Sequence, residues 1–242
     1  MKNKILIVFA MLALALTGMA QEKQRFVVNV GDFTHLAVVD HINVEYRCNA
    51  DSVGKAVFSA VPKMANQLIF TNNNKGKLSI TVGSDSVYSE RLPKVIVYSA
   101  YLQYAENLGD STLCVKSVAS SPRVKFKLMN NGRLLVDAVD ATTVEIEILT
   151  GNGYTQVGGK CTDLKIKNTG KAEVRTEGLE ATNVSCRIIG TGKVYCKVNG
   201  GKLSLNGSGT GKLYYYGKPS EIKSFQLGTL KAISLDENSE EK

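Results

Sequence analysis

A segment of about twenty residues recurs in the C-terminal half, and it constrains the fold of this 242-residue chain more than any other feature. Each copy has a tight turn of the Gly-Thr-Gly-Lys kind, followed by a short strand-like run. Spacings of 22, 19 and 19 residues separate the four turn lysines, which are Lys171, Lys193, Lys212 and Lys231. A unit this short cannot bury its own apolar face, so it must stack on its neighbours as the coils of a β-solenoid do.

Apolar and polar residues alternate on both sides of each turn, for example over residues 144–148 and 184–188. Alternation with a period of two predicts strands with one buried face. We therefore predict an all-β parallel β-helix with coils of about 20 residues, spaced roughly 4.8 Å apart. The alternative is an antiparallel sandwich or barrel, which strands this short and turns this regular disfavour.

Alignment of the turn lysines also predicts which residues share a position on successive coils. It places Val174, Cys196 and Tyr215 on one inward ladder, and Leu164, Cys186 and Leu205 on another. The corners need residues that adopt positive φ or allow close backbone approach. The predicted corner glycines are Gly170, Gly190, Gly192, Gly209, Gly211 and Gly228.

The first twenty residues are typical of a secretory signal peptide. Lys2 and Lys4 precede an apolar run over residues 5–16, and small residues precede a cleavage site after Ala20. The run is too short for a membrane-spanning helix. We divide the chain into a signal peptide (1–20), an irregular β half (21–105), solenoid repeats (106–236) and a polar tail (237–242). We expect an exported protein of the periplasm or cell surface, with no transmembrane segment after cleavage.

The charge is +8, and loss of the two leader lysines leaves 28 basic and 22 acidic residues. The basic residues are spread along the chain without a nucleic-acid motif, so nucleic acid is not an expected partner. For an exported protein an anionic polysaccharide or an envelope protein is the better expectation. The odd number of cysteines leaves at least one unpaired, and we expect most to be small buried apolar residues. A disulfide between Cys186 and Cys196 stays open.

No catalytic, metal or cofactor motif stands out, and we expect no cofactor. The two histidines, His35 and His41, are expected in exposed strand or turn positions. Glu145 and Glu147 share one strand face beside no obvious partner, and β-helical enzymes do use paired carboxylates. We predict a protein that is not an enzyme, with a carbohydrate-active envelope enzyme as the alternative.

The outward positions of the last coils combine lysine with tyrosine. In the predicted register, Lys171, Glu173 and Arg175 precede a binding face made of Lys193, Tyr195, Lys197, Lys212, Tyr214, Tyr216 and Lys231. Stacked lysines repel one another unless they are solvated, paired or given an anion. Tyrosine beside lysine can hold a sugar ring while the ammonium binds an acidic group. The alternatives are a solvated surface or a face that pairs with a second copy, which would make a homo-oligomer.

Three Asp-Ser-Val or Asp-Ser-Thr segments resemble acceptor sites that some exported bacterial proteins O-glycosylate. The candidate acceptors are Ser52, Ser86 and Ser111.

Several stretches together resemble a known family. They are the opening at 33–46, the runs 77–80 and 94–97, the recurring Gly-x-Gly turns, and the most specific stretch, 207–219. The chain resembles the "putative auto-transporter adhesin, head GIN domain" family of exported bacterial envelope proteins over residues 33–235. That resemblance implies a β-helical fold, often in two stacked halves, and an adhesive or surface role. Where the family has Ser-Gly-Ser-Gly, this chain has variants at 168–170, 190–192 and 227–230, so its turns are expected to be less uniform.

Overall fold

The computed structural model describes residues 22–73, 75–83 and 92–236, of which strands form the great majority. The predicted signal peptide, the tail 237–242 and Ser86 lie outside the described residues. A short helix, α1 (Pro62–Ala65), and a 3₁₀ turn (Ala50–Ser52) accompany the strands. The strands are β1 (Gln24–Asn29), β2 (His35–Val38), β3 (Val44–Cys48), β4 (Lys55–Ala60), β5 (Leu68–Asn72), β6 (Lys77–Val82), β7 (Val95–Ser99), β8 (Tyr104–Asn107), β9 (Thr112–Val115), β10 (Ser121–Leu128), β11 (Arg133–Ile148), β12 (Tyr154–Gly170), β13 (Glu173–Gly190), β14 (Lys193–Val198), β15 (Lys202–Gly209), β16 (Lys212–Tyr216), β17 (Glu221–Gly228) and β18 (Lys231–Ser234).

The strands wind into a parallel β-solenoid of about seven turns, which confirms the predicted fold class and coil length. Each coil contributes one segment to each of two stacks, which we call sheet A and sheet B. Sheet A runs in the order β5, β6, β2, β8, β10, β11, β12, β13, β15, β17. Sheet B runs in the order β1, β4, β7, β3, β9, β11, β12, β13, β14, β16, β18. Strands β11 to β13 belong to both stacks because each bends round the corner from sheet B into sheet A.

The inward ladders differ from the sequence alignment by two residues at one coil. Val174 lies beside Val194 rather than Cys196, and it is Thr176 that pairs with Cys196. On sheet A, Leu164 pairs with Val184. The predicted inward ladders Val174–Cys196–Tyr215 and Leu164–Cys186–Leu205 are therefore wrong at their first members.

The turn at residues 168–172 explains the shift. Gly170 pairs with Gly190, so Lys171 lies on the exposed corner and Ala172 takes the place of Gly192. Buried Asn168 closes this turn by donating from Nδ2 to the Ala172 carbonyl at 2.9 Å. Alignment of the turn lysines instead matches Gly170 to Gly192, because each of these glycines precedes a lysine.

The corner glycines have two different reasons to be glycine. Gly170, Gly190, Gly209 and Gly228 have φ values between 88° and 119°, which disfavour any residue with a Cβ. Gly192 and Gly211 lack positive φ but have no room, since an added Cβ at Gly192 would lie 2.4 Å from Asn168 Nδ2.

The coils near the N-terminus are stacked out of sequence order. Strand β2 lies between β6 and β8, and β3 lies between β7 and β9. Antiparallel strands β1, β4 and β5 then cover this end of the solenoid. At the other end β17 and β18 form the last coil, and seven of the eight residues of β17 are exposed.

Aliphatic side chains fill the interior in stacked rows, and three cysteines join them. Cys161, Cys186 and Cys196 are buried, and all five cysteines of the chain are free thiols in the structure. Burial raises the pKa of Cys196 to about 12, so its thiol stays protonated at neutral pH. These buried cysteines therefore act as apolar core residues.

Candidate binding face on sheet B

Three exposed lysines form a row across the last three coils of sheet B. Backbone pairing aligns Lys193 with Lys212 and Lys212 with Lys231. Paired residues on adjacent strands lie roughly 4.8 Å apart. Within the described residues none of these ammonium groups forms an ion pair. The row therefore concentrates positive charge, and no carboxylate lies between its three lysines.

A row of aromatic rings runs beside the lysines. Tyr195 and Tyr214 stack with ring centroids 4.7 Å apart and planes 12° from parallel. The guanidinium carbon of Arg175 lies 4.0 Å from the centroid of Tyr195. Ile233 continues the row on the last coil. The guanidinium and the two rings thus form one continuous stack along the solenoid axis.

The arginine at the start of this stack is held by two carboxylates. Arg175 donates from Nε to Glu173 and from Nη1 to Glu177, each at 2.7 Å. The hydrogen bonds to Glu177 and Glu173 raise the pKa of Arg175. Its charge is already matched, so the uncompensated part of the surface begins at Lys193.

A third row completes the surface, with Lys197 beside Tyr216. We call the seven residues the Lys/Tyr face; they are Lys193, Tyr195, Lys197, Lys212, Tyr214, Tyr216 and Lys231. The structure brings all seven to one side of sheet B, with the lysines exposed and the tyrosines half-buried. Glu173, rather than Lys171, is the neighbour of Lys193.

Across β10, β11 and β12 of sheet A the outward charges alternate in sign, and the carboxylates there have partners. Glu147 pairs with Lys125 at 2.7 Å and with Lys167 at 3.0 Å. Glu145 pairs with Arg123 at 2.7 Å. The hydrogen bond from Lys125, followed by that from Lys167, lowers the pKa of Glu147. The expectation that Glu145 and Glu147 lack partners is therefore wrong. The lowered pKa of Glu147 also makes this carboxyl a poor general acid.

Sheet A also contains a buried carboxylate that the sequence repeat does not predict. Glu106 is almost fully buried, and its Oε1 accepts from Lys77 at 2.7 Å and lies 3.1 Å from His35 Nε2. Tyr104 donates to its Oε2 at 3.1 Å, and Lys127 lies 3.6 Å away. Burial acts to raise the pKa of Glu106, but the hydrogen bonds from His35 and Lys77 lower it to about 2.

The two histidines differ in their surroundings. His35 is half-buried, because its ring stacks on Tyr104 with centroids 4.2 Å apart and its Nε2 bonds Glu106. The expectation of an exposed position is therefore wrong for His35, whereas His41 is exposed in the bend between β2 and β3.

The candidate glycosylation serines also differ in access. Ser52 is partly exposed in the 3₁₀ turn. Ser111 is only 9% exposed, and its hydroxyl donates to the Asp40 carbonyl at 3.2 Å. Ser52 is thus the more accessible acceptor of the two in the folded protein.

Neither a metal cluster nor a helix that could span a membrane is found in the described part of the chain. No group of three or more His, Cys, Asp or Glu side chains converges there. No helix in these ranges is long and apolar enough to cross a membrane.

Comparison with known proteins gives a family and a set of structures. A family model described as "Putative auto-transporter adhesin, head GIN domain" matches residues 32–219. No curated protein matches the chain. A "putative adhesin" from Bacteroides fragilis NCTC 9343 has a similar crystal structure, with a TM-score of 0.80 and 12% identity, and the match covers 89% of this chain and 98% of that one.

Two further crystal structures share the fold. A "putative lipid binding protein" from Parabacteroides distasonis ATCC 8503 matches with a TM-score of 0.67 and 16% identity, covering 88% of this chain and 97% of that one. A "putative adhesin" from Parabacteroides merdae ATCC 43184 matches with a TM-score of 0.66 and 14% identity, covering 88% and 96%. At these identities the likeness concerns the fold alone.

Proposed function

Because the chain belongs to the "Putative auto-transporter adhesin, head GIN domain" family, we propose that it is a non-catalytic, adhesin-like protein of the cell envelope. Its ligand is an anionic glycan, and the Lys/Tyr face is the surface that binds it. The family and the neighbouring structures carry the name of adhesins rather than of enzymes, which supports the adhesive part of the proposal.

One observation carries the choice of ligand: a row of three lysines that form no ion pair with any described residue, beside a stacked pair of tyrosines. Acidic sugar units recur at regular intervals along a polysaccharide, and the ammonium groups of this row recur at regular intervals along the solenoid. Tyrosine rings offer apolar surface to the faces of the sugars, and the lysines supply charge-assisted hydrogen bonds to the acidic groups.

Export follows from the same proposal. We propose that the signal peptide is removed after Ala20, which leaves Gln21 as the first residue of the mature chain in the periplasm or at the cell surface. Intact-mass measurement on the protein purified from the envelope fraction tests this, since retention of residues 1–20 would contradict it.

The test of binding uses an array of glycans and envelope polymers at low and high salt. The mature protein is compared with a variant in which Lys193, Tyr195, Lys212 and Tyr214 are changed to Ser. Vesicles with and without anionic lipid form a second arm, because one structural neighbour is named as a lipid-binding protein. A control with Lys55, Lys63 and Lys165 changed to Ser removes exposed lysines elsewhere.

We expect salt-sensitive binding of acidic glycans that the face variant loses and the lysine control keeps. Binding that survives in the face variant would place the site elsewhere. Preference for anionic vesicles over every glycan would replace the glycan with a lipid surface as ligand.

Self-association is a second candidate, favoured by the last coil. Ile222, Phe225 and Leu227 on β17 are 49%, 70% and 61% exposed, and an edge strand with exposed apolar residues is a site for strand pairing. Sedimentation velocity over a range of protein concentrations tests this. A mass that rises in the wild type and not in Phe225→Ser would support it, and a monomer at all concentrations would contradict it.

A further inference from the structure

A polar groove opens on the outward side of sheet B, next to the Lys/Tyr face. Its volume is about 650 Å³, and strands β11, β12 and β13 contribute its walls. This volume falls within the range of small-ligand sites. Nothing in the sequence repeat marks the groove, because it depends on where the coils depart from the repeat.

The groove exists because the coils shift register at this corner. Pairing slips between Val136 and Val139 on one coil, and between Gln156 and Gly159 on the next. Gly158 lies inside the second slip and supplies no side chain to the outward surface. Gly178 lies across from it, with 3.8 Å between its added Cβ and Gly158 Cα. Two glycines on adjacent coils therefore give a floor without side chains, and only at Gly178 is there space for one.

Polar groups with unused hydrogen-bonding capacity line this floor. Glu177 Oε1 accepts a hydrogen bond from Arg175, whereas its Oε2 is buried without a partner among the described residues. Tyr154 donates to Gln156 Oε1 at 3.0 Å, which leaves the exposed amide nitrogen of Gln156 free to donate to a ligand. A buried acceptor without a partner is costly, and rotation of the Glu177 carboxylate toward the groove would let a ligand hydroxyl remove that cost.

The charges around the groove leave no net positive charge to attract an acidic occupant, because the guanidinium of Arg133 only balances the excess carboxylate of Glu173 and Glu177. Arg175 is shared between Glu173 and Glu177, so one carboxylate charge of the three groups is in excess. Asp137, at the other side, is matched by Lys116 at 2.8 Å. The ring of Tyr154 forms a wall, with the Arg133 guanidinium carbon 5.2 Å from its centroid. This combination of an aromatic wall, acceptors and an amide donor suits a sugar with hydroxyl groups and no acid.

We propose that the groove over Gly158 and Gly178 binds a non-acidic sugar unit of the same glycan whose acidic units lie on the Lys/Tyr face. This inference rests on the proposed function. Arg175 links the two surfaces, since it contacts Glu177 in the groove and covers the ring of Tyr195 in the face. The protein therefore selects a chain with both acidic and non-acidic units, rather than any polyanion.

The test compares two oligosaccharides that carry three acidic groups each. One is a hyaluronan hexasaccharide, which alternates glucuronate with N-acetylglucosamine, and the other is a galacturonate trisaccharide. Gly178→Leu fills the groove, and Gln156→Ala removes its donor without adding bulk. The matched controls on sheet A are Ser204→Leu and Asn206→Ala, and circular dichroism with thermal melting checks the fold of every variant.

The wild type is expected to bind the hexasaccharide about tenfold more tightly than the trisaccharide, which is the effect of one or two hydrogen bonds with packing. Both groove variants should lose this preference and keep the trisaccharide affinity, while the controls keep both. Equal affinities in the wild type, or a preference that survives in Gln156→Ala and Gly178→Leu, would overturn the groove. If neither oligosaccharide binds the wild type, the proposed glycan function fails and the groove fails with it.

Discussion

The outward surfaces of sheet A and of the last coils of sheet B are built from the same alternating strands, yet their lysines have different neighbours. On sheet A the pairing aligns Lys127, Glu147 and Lys167, so a carboxylate separates two ammonium groups. On sheet B the pairing aligns Lys193, Lys212 and Lys231, and no carboxylate separates them. A solenoid places equivalent residues of successive coils side by side, so like charges in a row repel one another. A row of charged residues therefore stabilises the fold only when their signs alternate.

This difference indicates which surface is adapted to stability and which to binding. On sheet A, Glu106, Glu145 and Glu147 each pair with cationic side chains of the same molecule. Glu106 is the most enclosed of them, with four hydrogen-bonding or charged neighbours around one buried carboxylate. The Lys/Tyr face leaves its charges for another molecule. Substitutions that give sheet A a row of like charges should destabilise the fold, and substitutions that give the Lys/Tyr face alternating charges should stabilise the fold and abolish binding.

Loss of the buried charge on sheet A should have the largest effect. Glu106→Gln leaves Lys77 and its neighbours without their carboxylate, and we expect a loss of about 3 kcal/mol in the free energy of unfolding at pH 7. The folded-state pKa is lowered from 4.5 to about 2, so this stability is present above the unfolded value and is lost as the pH falls through 2. Urea denaturation between pH 7 and pH 2 should show the difference between wild type and variant disappear with acid. A difference that is constant over this range would contradict the account.

Conversion of sheet A to the pattern of sheet B should cost less. Glu147→Lys removes two ion pairs and aligns three lysines, so we expect a loss of about 2 kcal/mol in the free energy of unfolding. Glu147→Gln, which removes the pairs without adding a charge, should lose about half as much. Added salt should restore part of the stability of Glu147→Lys and little of that of Glu147→Gln.

The opposite conversion on sheet B should stabilise the fold while it abolishes binding. Lys212→Glu places a carboxylate between Lys193 and Lys231, and we expect a gain of about 1 kcal/mol in the free energy of unfolding. Acidic glycan binding should be lost in the same variant. Lys212→Met is the control, since it removes the charge without creating the two pairs. A destabilised Lys212→Glu would show that the row is not under electrostatic strain.

Removal of one stacked ring should have the smallest effect. Tyr214→Leu loses the contact with Tyr195, and we expect a loss of about 0.5 kcal/mol in the free energy of unfolding and about threefold in glycan affinity. Tyr216→Leu, which leaves the Tyr195–Tyr214 stack intact, should keep its stability. Thermal melting and glycan titration of both variants distinguish the contribution of the Tyr195–Tyr214 stack from that of exposed aromatic surface in general.

The sequence predicts the regular coils well because their spacing is constant. Steps of 19 residues separate Lys193, Lys212 and Lys231, and a period of two keeps these side chains and their tyrosine neighbours outward. The slip at Gly170 could not be predicted, because a lysine follows both Gly170 and Gly192 and only the buried Asn168 distinguishes the two turns. The partners of Glu147 could be predicted from the repeat, since Lys125 precedes it by 22 residues and Lys167 follows it by 20.

Sequence periodicity does not predict the order in which the N-terminal strands stack. Strand β2 is inserted between β6 and β8, so His35 and Glu106 meet across 71 residues. No repeat spacing predicts that contact, and the buried carboxylate at its centre therefore went unrecognised. The groove over Gly158 has the same origin, because it arises where the register departs from the repeat.

Salt titration of one acidic oligosaccharide against three proteins tests the central claim most directly. Fluorescence anisotropy would follow a labelled galacturonate oligosaccharide with the wild type, with Lys193, Lys212 and Lys231 changed to Ser, and with Lys55, Lys63 and Lys165 changed to Ser. The account predicts that wild type and control bind with an affinity that falls as salt rises, and that the row variant does not bind. Equal loss in both variants would show that net charge alone attracts the ligand, and full binding by the row variant would show that the Lys/Tyr face is not the site.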